Sequence, residues 1–100
     1  MTIKLVKRPP DGAELRLEGR LDTNAAPAAQ EALLKVAKEY AKITLNFADL
    51  AYISSAGLRA LLTLQKQVTR TGGKLTLTNV SPAVMEVFEI TGFSGILEIL

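Results

Sequence analysis

Residues 42–78, KITLNFADLAYISSAGLRALLTLQKQVTRTGGKLTLT, decide the fold. Ile43, Leu45 and Phe47 alternate with more polar residues, the period of a half-buried strand. From Ser55 to Thr71 the period changes. Gly57, Leu61, Leu64 and Val68, widened by Leu58 and Leu62, form one helical stripe, with Arg59, Thr63, Lys66, Gln67 and Arg70 on the wetter side. Gly72-Gly73 ends this helix, as a glycine beyond the C-cap does. Leu75 and Leu77 then resume the strand period. Strand, helix and strand in that order form a crossover, which predicts two parallel strands in one sheet. Residues 48–53, between the first strand and the helix, read as an irregular connection.

The rest of the chain extends this unit on both sides. Ile3 and Leu5 begin a strand, Pro9-Pro10-Asp11-Gly12 is a turn signal, and Ala13, Leu15 and Leu17 alternate with Glu14, Arg16 and Glu18. Together they predict a hairpin that adds an antiparallel edge. Asp22-Thr23-Asn24 supplies possible N-caps for a helix over about 24–40. Pro27 lies in its first turn, and Ala26, Ala29, Leu33, Val36, Ala37 and Tyr40 lie on one face. Towards the C-terminus, Ser81 and Pro82 suit the N-cap and first position of a third helix. Val84, Val87 and Phe88 face inward in that helix, Gly92 closes it, and Ile96, Leu97 and Ile99 suggest a short last strand. The expected class is α/β: a single domain over residues 1–100, with a mixed sheet in the order β-β-α-β-α-β-α-β and helices mainly on one side.

Composition removes most chemistries. A 100-residue chain of 48% hydrophobic and 22% charged residues forms one ordinary globular core. At this mass it buries roughly two-thirds of its unfolded surface. It has no Cys and no His. Disulfides, thiol nucleophiles, the usual general base and most transition-metal sites go with them. Twelve Lys and Arg against ten Asp and Glu leave no footprint for a nucleic acid backbone. Lys4, Lys7 and Arg8 read as a solvated strand edge, and the five aromatic residues are scattered. No apolar run is long enough to span a membrane, and Met1-Thr2-Ile3-Lys4 enters a strand pattern without a signal peptide. The expected address is the cytoplasm.

One segment carries a chemical signal: Asp49-Leu50-Ala51-Tyr52-Ile53-Ser54-Ser55-Ala56-Gly57-Leu58-Arg59. It sets two hydroxyls where a loop becomes a helix N-terminus, whose free N–H groups and dipole favour an anion such as phosphate. The residues alone also fit a plain N-cap followed by a close-packing glycine. A wider pattern includes Gly19-Arg20-Leu21-Asp22, Asn46-Phe47-Ala48-Asp49-Leu50, Ser54-Ser55-Ala56-Gly57-Leu58, Gly72-Gly73, Asn79-Val80-Ser81-Pro82-Ala83-Val84 and Ile90-Thr91-Gly92-Phe93. In this order and spacing the chain resembles a STAS domain of the bacterial anti-sigma-factor-antagonist (anti-anti-sigma) family over nearly its whole length.

The resemblance implies a partner switch. In that family the unphosphorylated antagonist binds an anti-sigma factor, a serine kinase of the histidine-kinase-like ATPase class, and frees a sigma factor. The kinase phosphorylates a serine at the start of the second helix and the complex breaks; a PP2C-type phosphatase restores it. The family motif is commonly Asp-Ser-(Ser/Thr)-Gly-Leu. Laid on this chain, the modified serine is Ser55, with Ser54 at the Asp position as runner-up acceptor. The implied partner surface is Asp22, Thr23, Ser54, Ser55, Ala56, Gly57, Leu58 and Arg59. Asp22 and Asp49 match acidic family positions and are expected in loops at the Ser55 end of the sheet. Locally, Asp22 also fits a cap of helix 1 and Asp49 a turn, while Arg59 also fits a solvated helix charge. No cofactor, metal or catalytic residue is expected, and the free chain is expected to be a monomer. The other reading is a STAS scaffold or subunit of a lipid-transport or stress-signalling assembly that binds without a phosphorylation cycle. An enzyme with Ser55 as nucleophile fits poorly, because there is no His and no G-x-S-x-G.

Overall fold

Alternating and helical periods become five strands and three helices in a computed structural model that describes residues 1–7 and 12–100, Lys7 by its backbone. The elements are β1 (Thr2–Lys7), β2 (Gly12–Leu21), α1 (Ala26–Glu39), β3 (Lys42–Ile53), α2 (Ser55–Arg70), β4 (Lys74–Thr78), α3 (Pro82–Thr91) and β5 (Glu98–Ile99), with a 3-10 turn at Phe93–Gly95 before β5. The turn expected at Pro9-Pro10-Asp11 lies outside the described residues.

The sheet order is β1-β2-β3-β4-β5, with β1 antiparallel to β2 and every other neighbouring pair parallel. Each parallel step moves one place in the same direction. Right-handed crossovers then put α1, α2 and α3 on the same face. The strands record this asymmetry. Leu15, Leu17, Ile43, Leu45, Leu75 and Leu77 are buried under the helices, while Arg16, Glu18, Thr44 and Thr76 line the open face. Phe47 and Phe88 close the core from β3 and α3, their ring centroids 6.3 Å apart. The molecule exposes 5562 Å², about what a compact chain of this mass presents.

The bounds of β3 and of the last strand differ from the sequence reading. Residues 48–53 are not an irregular connection, because β3 runs on to Ile53. From the pair Arg16–Asn46 to Glu18–Asp49, β2 advances two residues and β3 three; from Gly19–Leu50 to Arg20–Tyr52, β2 advances one and β3 two. Each extra residue is a bulge in β3, and a bulge shifts the side-chain alternation by one. The buried residues therefore fall at Phe47, Leu50 and Ile53, a spacing of three that hides the strand. The last strand is also shorter than expected. Leu97 is buried just before it, whereas Ile96 is exposed.

The third helix starts as its sequence implies: Ser81 Oγ accepts from the Val84 amide at 3.2 Å. It ends at Gly92, whose φ of +82° is a conformation glycine adopts without a Cβ penalty. Because the parallel strands follow one another without reversal, the fold has no topological switch point, the place where open α/β sheets usually form a ligand crevice.

Candidate functional site

The site is built where β2 and β3 end together. Leu21 and Ile53 are the last pair of their ladder. The chain turns from Ile53 directly into α2, and the Ser54 amide donates to the Leu21 carbonyl at 2.9 Å. That bond fixes the start of α2 against the segment that leads to α1. Asp22 follows Leu21 immediately. Its Oδ1 accepts from the Ala25 amide at 2.9 Å and its carbonyl from the Ala26 amide at 3.0 Å. These bonds wind residues 22–25 into a turn, so α1 begins at Ala26, two residues later than expected. Asp22 thus makes the local cap-like contact its sequence suggested, at the same end of the sheet as Ser55.

The two serines have different surroundings. Ser54 is the N-cap of α2 and is 8% exposed. Its Oγ accepts from the Gly57 amide at 3.1 Å, and its carbonyl accepts from the Leu58 amide at 2.9 Å. Ser55 is the first residue of the helix and is exposed. Among the described residues its hydroxyl has no hydrogen-bond partner. The capping bonds use the amides of Gly57 and Leu58. The amides of Ser55 and Ala56 have no intrahelical acceptor, as expected for a first turn. No acidic residue lies in that turn, so the positive end of the helix dipole is not offset from within it.

Gly57 and Leu58 are buried at the start of α2. A Cβ on Gly57 would stand 2.7 Å from the Leu21 carbonyl oxygen and 2.8 Å from Leu21 Cγ, and Leu58 is 2% exposed. What approaches Gly57 closely is this chain's own β2. Both residues seat the helix terminus on the core from below, and neither offers an exposed side chain. The expected place of Asp49 is corrected. It lies within β3, opposite Glu18, and its Oδ2 is 3.6 Å from Arg16 Nε on the open face. That is an ion pair at more than hydrogen-bond length, not a loop residue beside Ser55.

Thr23 and Arg59 are exposed at this end of the molecule. With Ala26, Pro27, Gln30 and Ala56 they line an open depression of about 520 Å³ between the first turns of α1 and α2. Its walls are short, and nothing in it resembles a catalytic constellation. Among the described residues no three His, Cys, Asp or Glu side chains gather where they could hold a metal ion. No described helix is long and apolar enough to cross a membrane.

The fold and this hydroxyl-bearing helix terminus define a class of protein. The STAS domain family model matches residues 3–99. The chain is 31% identical to the anti-sigma-B factor antagonist of Bacillus subtilis over 94 residues, covering 94% of this chain and 86% of the relative. It is 29% identical to the anti-sigma-B factor antagonist of Listeria monocytogenes over 100 residues, covering 99% and 88%. Its fold is similar to that of the anti-sigma factor antagonist SpoIIAA, a Bacillus cell fate determinant. The TM-score is 0.77 against the unphosphorylated form, at 22% identity over 99% of this chain and 87% of that one. Against the phosphorylated form it is 0.75, at 22% identity over 99% and 91%. The chain belongs to the STAS domain family, among the anti-sigma factor antagonists.

Proposed function

We propose that this protein is a phosphorylation-switched anti-sigma factor antagonist with Ser55 as the switch. Unphosphorylated, it binds a cognate anti-sigma factor of the histidine-kinase-like serine kinase class through the end of the sheet that carries Asp22, Thr23, Ser55, Ala56 and Arg59. Binding frees the sigma factor. Within the complex the Ser55 hydroxyl attacks the γ-phosphorus of the kinase's ATP, ADP leaves, and the hydroxyl proton passes to a base on the kinase. A PP2C-type phosphatase hydrolyses the phosphoserine and resets the cycle. The protein acts in the cytoplasm as ligand and phosphate acceptor, not as a catalyst, and is monomeric when free.

The observation that carries this reading is the division of labour between the serines. Ser54 is committed to the cap, while Ser55 presents a hydroxyl without a partner at the positive end of a helix. A phosphate there adds about −1.5 to −2 charges. In the free protein the helix terminus favours them by roughly 0.3–1 kcal/mol per charge. In a contact shaped around a neutral hydroxyl the same charges must be desolvated, which is costly. A net penalty of about 3 kcal/mol weakens binding roughly 150-fold.

The test is a titration of the purified kinase with wild-type protein and with Ser55→Asp, with circular dichroism on both. Loss of affinity in Ser55→Asp with an unchanged fold supports the switch. Equal affinity removes it and leaves a STAS scaffold that binds without a cycle.

A further inference from the structure

Three cations on the open face of the sheet are paired with acids. Lys4 Nζ lies 3.2 Å from Glu18, Arg16 Nε 3.6 Å from Asp49, and Lys74 Nζ 3.4 Å from Glu98. Arg20 differs. It continues the outward row of Glu14, Arg16 and Glu18 along β2, yet among the described residues no carboxylate pairs with it. Its guanidinium instead lies over the ring of Tyr52, 4.3 Å from the centroid. Arg20 and Tyr52 are paired in register across β2 and β3. Both are exposed, Tyr52 by 41%.

Their position matters as much as their contact. The next pair along the ladder is Leu21–Ile53, and Leu21 holds the Ser54 amide. The stacked pair is thus the last outward pair before the Ser55 end. A guanidinium held on an aromatic face loses little freedom on binding, and its edge keeps N–H donors for a bidentate carboxylate. Arg and Tyr are also the residue types enriched where interfaces concentrate their binding energy.

We propose that Arg20, stacked on Tyr52, is a second anchor of the docking surface and takes a carboxylate side chain of the partner kinase. The interface then wraps from the first turn of α2, over the end of the sheet, onto its open face. The proposal rests on the reading of the Ser55 end as the docking site.

The probe is the histidine-kinase-like serine kinase, purified from the same genome, that binds the wild-type chain. It is titrated with wild type, Ser55→Asp, Arg20→Ala, Arg20→Lys and Tyr52→Leu at low and high salt, with urea unfolding of each variant. Arg20→Ala should bind about tenfold more weakly at low salt, and the gap should narrow as salt rises. Arg20→Lys, which keeps the charge but not the planar fork, should fall between, and Tyr52→Leu should weaken binding in the same direction. A purely structural pair would move the unfolding midpoint and spare the affinity. If Ser55→Asp binds weakly while folded Arg20→Ala stays within about twofold of wild type, the second anchor is overturned and the Ser55 reading stands. If Ser55→Asp binds like wild type, or no such kinase binds, the docking reading fails and the anchor falls with it.

Discussion

The Ser54 amide is hydrogen-bonded to the Leu21 carbonyl at 2.9 Å, so the first turn of α2 is fastened to the last residue of β2. With the ladder pair Leu21–Ile53, that bond holds Asp22 and Ser55, far apart in the chain, at one end of the sheet. Because Ser54 also caps the helix with its side chain, the residue after it is delivered to the surface in a fixed backbone geometry.

The close approach of α2 to β2 makes Gly57 sensitive. Gly57→Ala forces a Cβ to within 2.7 Å of a backbone oxygen that cannot move freely. It should destabilise the fold by about 1–3 kcal/mol, read as a lower urea midpoint. Gly95→Ala meets no atom within 4 Å and should stay within about 0.5 kcal/mol of wild type.

The cap should be separable from the switch. Ser54→Ala removes the acceptor for the Gly57 amide and should cost about 1 kcal/mol. Ser54→Asp keeps an acceptor and adds a negative charge at the positive helix end, so it should regain or exceed wild-type stability by about 0.3–1 kcal/mol. Urea unfolding of both variants checks the order Asp, Ser, Ala.

The outer face of α1 should play no part in binding. Lys35 and Glu31 form a pair at 3.8 Å, with both side chains more than 70% exposed. Lys35→Glu should leave kinase affinity within about twofold of wild type and stability within about 0.5 kcal/mol. A large loss of affinity in a folded variant would move the interface onto α1.

The sequence was most readable where the period was regular. Leu15 and Leu17, Ile43 and Leu45, and the stripe from Gly57 to Val68 announced their faces directly, and Ser81-Pro82 announced a helix start. The second half of β3 was hidden because each bulge resets the alternation. Phe47, Leu50 and Ile53 look irregular until β2 is laid beside them. Asp49 could not be placed for the same reason: its partner Arg16 is on another strand. Gly57 and Leu58 show the opposite case. Their helical spacing already put them on the inward stripe, and only membership of a motif suggested contact with a partner. Tyr52, set in a supposed connection, gave no hint that Arg20 would stack on it.

The central claim is that Ser55, and not its buried neighbour, accepts the phosphate. Intact mass after incubation with the partner kinase and Mg-ATP tests it most directly on wild type, Ser54→Ala and Ser55→Ala. Wild type and Ser54→Ala should each gain the mass of one phosphate group, and Ser55→Ala should gain none. Phosphate on Ser55→Ala but not on Ser54→Ala, or no uptake by the wild-type chain, would contradict the account.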